Sequence, residues 1–191
     1  RGSTGRVALM ALTSFERRQV RRERLNRLLP NALTTLGLCC GFTAVRFGLQ
    51  EKWEISILFI GAAALFDTLD GRVARLMGGQ TELGGQLDSL ADAISFGVAP
   101  VMLIYLWSLN NAGGIGWVIA TLFVVCSILR LARFNVSSVA TDAPEWASNY
   151  FSGVATPAAA GMVLFPLIVG IETGWDFCRS AWVTLPWTIV V

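Results

Sequence analysis

The sequence predicts an all-α fold, specifically a polytopic bundle of membrane-spanning helices. Of the 191 residues, 54% are hydrophobic and only 15% are charged, a composition too apolar for an ordinary soluble domain. Apolar stretches long enough to cross a bilayer recur along the chain, separated by short polar connections. The basic residues are unevenly distributed, because eight of the 15 lie in the first 30 positions. Together these features indicate a membrane protein with an arginine-rich end.

The N-terminal segment 1–30 is predicted to be a basic juxtamembrane helix. Residues 16–29 read ERRQVRRERLNRLL and are followed by Pro30. A helix of this kind lies along the membrane surface and attracts anionic lipid headgroups. We favour this interpretation over contact with nucleic acid. The chain begins with Arg1, so the first five residues are expected to be a processed end, a fragment edge or an expression scar.

Residues 31–191 are predicted to form one transmembrane domain of five complete spans and a truncated sixth. The last apolar stretch has 11 residues, whereas a span needs about 20, so the chain is expected to stop inside a membrane segment. The expected spans are 32–50, 53–76, 86–109, 115–135, 153–171 and 181 onward.

The basic residues predict the orientation of these spans. Loops rich in arginine stay in the cytoplasm. The arginine-rich N-terminus and the loops 77–85 and 136–151 are therefore expected on the cytoplasmic side, in a bacterial inner membrane.

Residue types that are missing or sparse exclude several kinds of chemistry. The chain has no histidine, which rules out an imidazole base and histidine-ligated metal. Its four cysteines include no CxxC pair, and we interpret them as small core residues rather than as a disulfide or zinc site.

Four aspartates stand out within this apolar chain. Asp67 and Asp70 are three residues apart, and Asp88 and Asp92 are four apart, so each pair shares one helical face. The connection between the two predicted helices is short and glycine-rich, which allows the two faces to meet. Arg75 lies near the same depth.

Clustered carboxylates inside a membrane need a cation to offset their repulsion. Aspartate oxygens suit Mg²⁺ or Mn²⁺, and two divalent ions would balance four aspartates. Metal at this site would bind an oxyanion such as a phosphate or pyrophosphate. The competing interpretations are a polar network without chemistry and an ion-transport site.

The spacing of these residues resembles a known signature. The run Asp67-x-x-Asp70-Gly71-x-x-Ala74-Arg75 is followed, after eight residues, by Gly84-x-x-x-Asp88-x-x-x-Asp92. This pattern resembles that of the CDP-alcohol phosphotransferase family. The stretches LPNALTTLGLCCGF, LDSLADAISFGVAP, RLARFN and TPAAAG resemble the phosphatidylserine synthase branch of that family.

The resemblance implies a reaction and a role for each residue. The reaction is the transfer of a phosphatidyl group from CDP-diacylglycerol to the hydroxyl of L-serine, with release of CMP. Asp67, Asp70 and Asp88 would be ligands of two divalent metals, and Asp92 would be the general base and a further possible ligand. The residues implied to bind CDP-diacylglycerol are Asn31, Thr34, Gly71, Ala74, Arg75, Thr81 and Gly84.

The acceptor alcohol is less firmly indicated than the donor. Arg130 and Arg133 lie three residues apart, and either could pair with the carboxylate of serine. Ser95 continues the stripe of Asp88 and Asp92 and is a further candidate. Inositol phosphate or glycerol phosphate would also need basic residues, so these acceptors stay open. The family expectation is a homodimer that works among membrane lipids and binds no nucleic acid.

Overall fold

The structure, a computed structural model, describes residues 14–77, 81–139, 155–174 and 176–191. Within these ranges the side chains of 14–27, 137–139 and 176 are outside the description. The described part is helical and contains no β-strand. The predicted all-α fold is therefore confirmed. The chain start, residues 78–80 of the glycine-rich connection and most of the predicted loop 136–151 lie outside the described residues.

Seven α-helices make up the described chain. The π-helical turn Ala93–Val98 joins α3 to α4 without interruption, and short 3₁₀ turns follow at Leu109–Ala112 and Asp176–Arg179. The helices are α1 (Ser14–Gly48), α2 (Trp53–Leu76), α3 (Glu82–Asp92), α4 (Ala99–Trp107), α5 (Gly114–Val139), α6 (Thr156–Thr173) and α7 (Ala181–Val190).

Four helical segments are long and apolar enough to cross a membrane. They are Leu28–Gly48, Glu82–Trp107, Gly114–Val136 and Thr156–Thr173. Helix α2 has 24 residues, also enough to cross, but it carries Asp67 and Asp70 in its second half together with two arginines. The protein is thus an integral membrane protein, and the number of five complete spans stays a prediction.

Helix α1 passes through Pro30 without a break. The sequence predicted a juxtamembrane helix that ends there, whereas the structure has one 35-residue helix from Ser14 to Gly48. Proline removes the backbone bond to the carbonyl four residues earlier, and membrane helices tolerate this loss. The hydroxyl of Thr34 lies 3.0 Å from the carbonyl oxygen of Pro30 itself, one turn further along the helix.

Helix α1 packs closely against the π-helical turn that joins α3 to α4. Gly41 of α1 is buried against Ser95, and a Cβ on Gly41 would lie 2.5 Å from the hydroxyl oxygen of Ser95. The Ser95 hydroxyl also donates to the carbonyl of Gly37 at 3.4 Å. Because only glycine leaves this space, α1 can lie directly on the turn that follows Asp92.

The larger of the two hydrophobic clusters lies away from the aspartates. It is formed mainly by α4 and α6, through Leu103, Ile104, Val163 and Leu167, each of which is fully buried. Polar bonds hold α7 to this core: the hydroxyl of Ser108 lies 2.8 Å from that of Thr184 and donates to the carbonyl of Arg179 at 2.7 Å. These contacts fix the end of the bundle opposite the aspartates.

The prediction that the cysteines are core residues is wrong for two of the four. All four are free thiols, and Cys39 and Cys126 are exposed, whereas Cys40 and Cys178 are half-buried and pack against the hydrophobic clusters. In a membrane protein the exposed face of a helix meets lipid rather than water, so a small apolar side chain can lie there at little cost.

Candidate metal and nucleotide site

Helix α2 brings the first two aspartates toward α1 near the end of the helix. Asp67 is half-buried, and Asp70 is buried, with 3% of its surface exposed. They are three positions apart, so both lie on one face of α2, as the sequence predicted. A carboxylate this deeply buried requires a partner or a cation.

Helix α3 presents the other two aspartates. Its start is fixed by Thr81, whose hydroxyl accepts a hydrogen bond from the backbone N–H of Gly84 at 3.1 Å, an N-cap. Asp88 and Asp92 follow one turn apart, and both are half-buried. The helix changes to π geometry immediately after Asp92. Such turns are frequent at functional sites.

Three of the four carboxylates form one compact cluster. Asp67, Asp70 and Asp88 each contribute an oxygen atom, and the three oxygens lie within 4.8 Å of one another. Asp92 is outside this set of three, but its carboxyl group is within hydrogen-bonding reach of Asp67. Oxygen donors at this spacing fit a hard divalent cation. The cluster can therefore hold a metal ion, with Asp92 beside it.

Helix α1 supplies a hydroxyl to the cluster. The Oγ1 atom of Thr34 donates to Oδ2 of Asp70 at 2.5 Å, and Thr34 is itself only 6% exposed. This contact joins α1 to α2 across 36 positions of the sequence. It was absent from the sequence analysis, which placed Thr34 against the nucleotide.

Two small clefts meet at this hydrogen bond. Three sides of the first cleft are formed by α1, α2 and α3 around the aspartates. It is lined by Thr34, Gly37, Leu38, Ala63, Asp67, Asp70, Asp88, Ala91, Asp92, Ser95 and Phe96. The second cleft lies beside it and is lined by Pro30, Asn31, Thr34, Asp70, Thr81 and Gly84.

The second cleft unites four of the seven residues expected to bind CDP-diacylglycerol. These are Asn31, Thr34, Thr81 and Gly84. The other three line neither cleft: a side chain at Gly71 would meet nothing within 4 Å, Ala74 is buried, and Arg75 is exposed. The space beside Gly71 is open and leaves room for a ligand that extends beyond either cleft. The expected role of Gly71, Ala74 and Arg75 in binding CDP-diacylglycerol stays a prediction.

Gly84 is expected to be intolerant of a side chain. A Cβ on Gly84 would lie 2.9 Å from Oδ1 of Asn31 and 3.1 Å from the hydroxyl of Thr81. The end of the Asn31 side chain would have to move out of its place in the second cleft, so Gly84→Ala is expected to raise the Kd for CDP by about tenfold. Isothermal titration of the purified protein with CDP measures this. Gly61→Ala, on α2 with nothing within 4 Å of its Cβ, is the matched control, and equal affinity in both variants would contradict the prediction.

Helix α5 packs against the π-helical turn and α4, and it has a defined register relative to α3. Asn135 donates from Nδ2 to the hydroxyl of Ser89 at 2.8 Å, and Ser127 packs against Gly97. The two contacts are eight residues apart on each helix, so the pair runs antiparallel. On α5, Arg130 and Arg133 lie between these two contacts. On the facing helix, Asp92 also lies between them, so both arginines are near the depth of Asp92.

The predicted acceptor residues differ in their surroundings. Arg130 is half-buried and Arg133 is exposed. Ser95 lines the first cleft, but it is 2% exposed and its hydroxyl is bonded to α1. The Asn135–Ser89 bond was missed by the sequence analysis, although Asn135 ends the quoted RLARFN stretch. Only the pairing of α3 with α5 reveals it.

Comparison with known proteins agrees with this geometry. The sequence model of the CDP-alcohol phosphatidyltransferase family matches residues 27–191. This chain belongs to that family. The family match covers α2 and α3 completely, including every aspartate of the cluster. The resemblance stated from the signature is thus confirmed. No solved structure matches the chain.

Several relatives in the CDP-alcohol phosphatidyltransferase family carry one name, CDP-diacylglycerol–serine O-phosphatidyltransferase. The protein of Mycobacterium leprae is 39% identical over 161 residues, which are 84% of this chain and 53% of the relative. That of Helicobacter pylori strain 26695 is 35% identical over 80% of this chain and 62% of the relative. That of Saccharomyces cerevisiae is 41% identical over 66% of this chain and 45% of the relative. The chain thus spans about half the length of the curated relatives it matches.

Proposed function

We propose that this protein transfers the phosphatidyl group of CDP-diacylglycerol to the hydroxyl of L-serine. The observation that carries the proposal is the carboxylate cluster of Asp67, Asp70 and Asp88, with Asp92 at its side. The names of the relatives support serine as the acceptor. The products are phosphatidylserine and CMP.

The proposed reaction is a displacement at phosphorus. The serine oxygen forms a bond to the phosphorus that carries diacylglycerol, and the bond from that phosphorus to the CMP oxygen breaks. CMP leaves with the electron pair, and the hydroxyl proton passes to the carboxylate of Asp92. A weakly acidic hydroxyl needs such a positioned base, and the chain offers no histidine for this role.

The aspartate cluster would hold the divalent metal. Asp67, Asp70 and Asp88 bring their oxygens within 4.8 Å of one another, a donor set that suits Mg²⁺ or Mn²⁺. Bound there, the metal would offset the charge of the diphosphate and of departing CMP. We propose two ions, as the count of four aspartates suggests, with Asp92 chiefly the base and at most a minor further ligand.

The second cleft would hold the cytidine end of the donor. Its residues Asn31 and Thr81 offer an amide and a hydroxyl, and Gly84 leaves space between them. Asp70 lines this cleft and also belongs to the metal cluster. A diphosphate bound beside Asp70 would therefore reach the metal. Gly71, Ala74 and Arg75 are proposed to border the remainder of the donor.

The acceptor is proposed to enter from the side of α5. Arg130 is half-buried at the depth of Asp92, and a guanidinium pairs with a carboxylate through two parallel hydrogen bonds. Arg130 is thus the better candidate for the serine carboxylate, and the exposed Arg133 the weaker one. The same arginine could hold a phosphate, so inositol phosphate and glycerol phosphate are the alternative acceptors.

Release of CMP tests the proposal directly. Purified protein is supplied with CDP-diacylglycerol, Mn²⁺ and one of four acceptors: serine, inositol, inositol phosphate or glycerol 3-phosphate. We expect CMP release only with serine. Release with another acceptor would reassign the substrate. Ion movement across vesicles without any release of CMP would support a transporter instead.

The active site is proposed to face the cytoplasm of a bacterial inner membrane, with the protein as a homodimer. The arginine-rich N-terminus supports the orientation, and the family resemblance supports the dimer. Chemical cross-linking in membranes tests the dimer, and a monomer alone would contradict it.

Labelling of two introduced cysteines tests the orientation. Glu82 and Asn111 are both exposed; Glu82 begins the continuous helix Glu82–Trp107, and Asn111 lies in the 3₁₀ turn just beyond its other end. In a variant without native cysteines, a membrane-impermeant maleimide is expected to label Glu82→Cys only in inverted vesicles and Asn111→Cys only in intact cells. Labelling of both from the same side would refute the span assignment.

A further inference from the structure

We infer that Thr34 is a positioning residue that holds the carboxylate of Asp70 in its metal-binding orientation. The inference rests on the proposed function, since it concerns the same site. Its basis is the hydrogen bond from Thr34 Oγ1 to Asp70 Oδ2, 2.5 Å long and buried. The two side chains are 6% and 3% exposed, so water cannot easily replace either partner.

The hydroxyl of Thr34 has a fixed direction. Its oxygen lies 3.0 Å from the carbonyl of Pro30 in the same helix, as well as 2.5 Å from Asp70. A hydroxyl has a single proton, and a bond to a charged acceptor is shorter and stronger than one to a neutral carbonyl. The proton is therefore directed at Asp70, and α1 serves as the rigid support.

This bond determines how Asp70 can serve a cation. Oδ2 is engaged by Thr34, which leaves Oδ1 as the oxygen that is unconstrained by α1. Asp70 lies in one group with Asp67 and Asp88, whose oxygens come within 4.8 Å. Without the hydroxyl, the buried carboxylate would lose a donor and its fixed rotamer. Residues that orient a metal ligand in this way typically change metal affinity by about 10–100-fold.

The location of the pair explains why Thr34 could be taken for a nucleotide contact. Thr34 and Asp70 are the two residues that line both clefts. A role in nucleotide binding and a role in positioning Asp70 therefore predict the same neighbourhood. They differ in which ligand loses affinity when the hydroxyl is removed.

Metal binding without nucleotide separates the two roles. The probe is Mn²⁺ alone, titrated into the detergent-purified protein and followed by electron paramagnetic resonance. Thr34→Val removes the hydroxyl at nearly constant volume, and Thr34→Ser retains it. Thr35→Val is the matched control, because the Thr35 hydroxyl is exposed and donates only within α1, to the carbonyl of Asn31 at 2.7 Å. Thr34→Ala repeats the test if valine prevents folding.

We expect Thr34→Val to raise the Kd for Mn²⁺ at least about tenfold, with Thr34→Ser and Thr35→Val close to the unmodified protein. An unchanged Kd for Mn²⁺ in Thr34→Val, with weaker CDP binding, would overturn the inference and make Thr34 a nucleotide contact. If the unmodified protein binds no Mn²⁺, or binds it equally after Asp88→Ala, the metal site of the proposed function fails, and the inference fails with it.

Discussion

Asp92→Asn is expected to bind CDP-diacylglycerol and Mn²⁺ nearly normally, yet to turn over serine at least roughly a hundredfold more slowly. The substitution retains the size of the side chain but removes its basicity. Asp92 lies outside the compact group of Asp67, Asp70 and Asp88, so its loss should leave most of the metal-binding oxygens in place. Nucleotide binding and kcat are measured on the same preparation.

A second carboxylate of the same helix provides the control for Asp92→Asn. Glu82 is exposed in the first turn of α3, so Glu82→Gln is expected to retain full turnover. If binding of Mn²⁺ falls together with turnover in Asp92→Asn, Asp92 is chiefly a metal ligand. If turnover survives, another group takes the proton, such as a phosphate oxygen of the substrate.

Removal of divalent metal is expected to abolish CMP release altogether. Four carboxylates close together repel one another, and the diphosphate of the donor adds negative charge, so the donor cannot bind productively without a cation. Excess EDTA should stop the reaction, and added Mn²⁺ or Mg²⁺ should restore it. Full activity in the chelator would remove the metal from the proposal.

The variant Asp88→Ala extends this prediction to a single ligand. Asp88 is the one member of the cluster that comes from α3, whereas Asp67 and Asp70 come from α2. Its removal is expected to lower activity by about 10²–10³-fold and to weaken Mn²⁺ and CDP binding together. Glu54→Ala, an exposed carboxylate at the far end of α2, should leave all three quantities unchanged.

The site could be predicted from sequence where it depends on spacing within a helix. Positions three or four apart share a helical face whatever the tertiary structure, so the pairing of Asp67 with Asp70 and of Asp88 with Asp92 required no further information. The apolar lengths likewise predicted α2 to the residue, at 53–76. The family signature covered the same two helices.

The remainder depends on contacts between helices, which no local pattern encodes. The Thr34–Asp70 bond spans 36 positions and the Asn135–Ser89 bond spans 46. Pro30 was expected to end a helix, but the helix continues through it. The stretch AISFGV has the pattern of a regular helix in the sequence. In the structure it forms a π-helical turn that packs against Gly41.

The π-helical turn also affects how this part of the chain tolerates a change in length. An α-helix advances 100° per residue, and a π turn accommodates one additional residue, so the helices before and after it keep the directions that a helix one residue shorter would give them. Asp88 and Asp92 precede the turn, while Leu103 and Trp107 follow it in the core. Deleting one residue from 93–98 would therefore give a regular helix in which both halves keep their directions, whereas deleting a second residue would rotate one half by about 100°, away from either the cleft or the core. The π-helical turn is thus the place in this helix where a one-residue change in length can be absorbed.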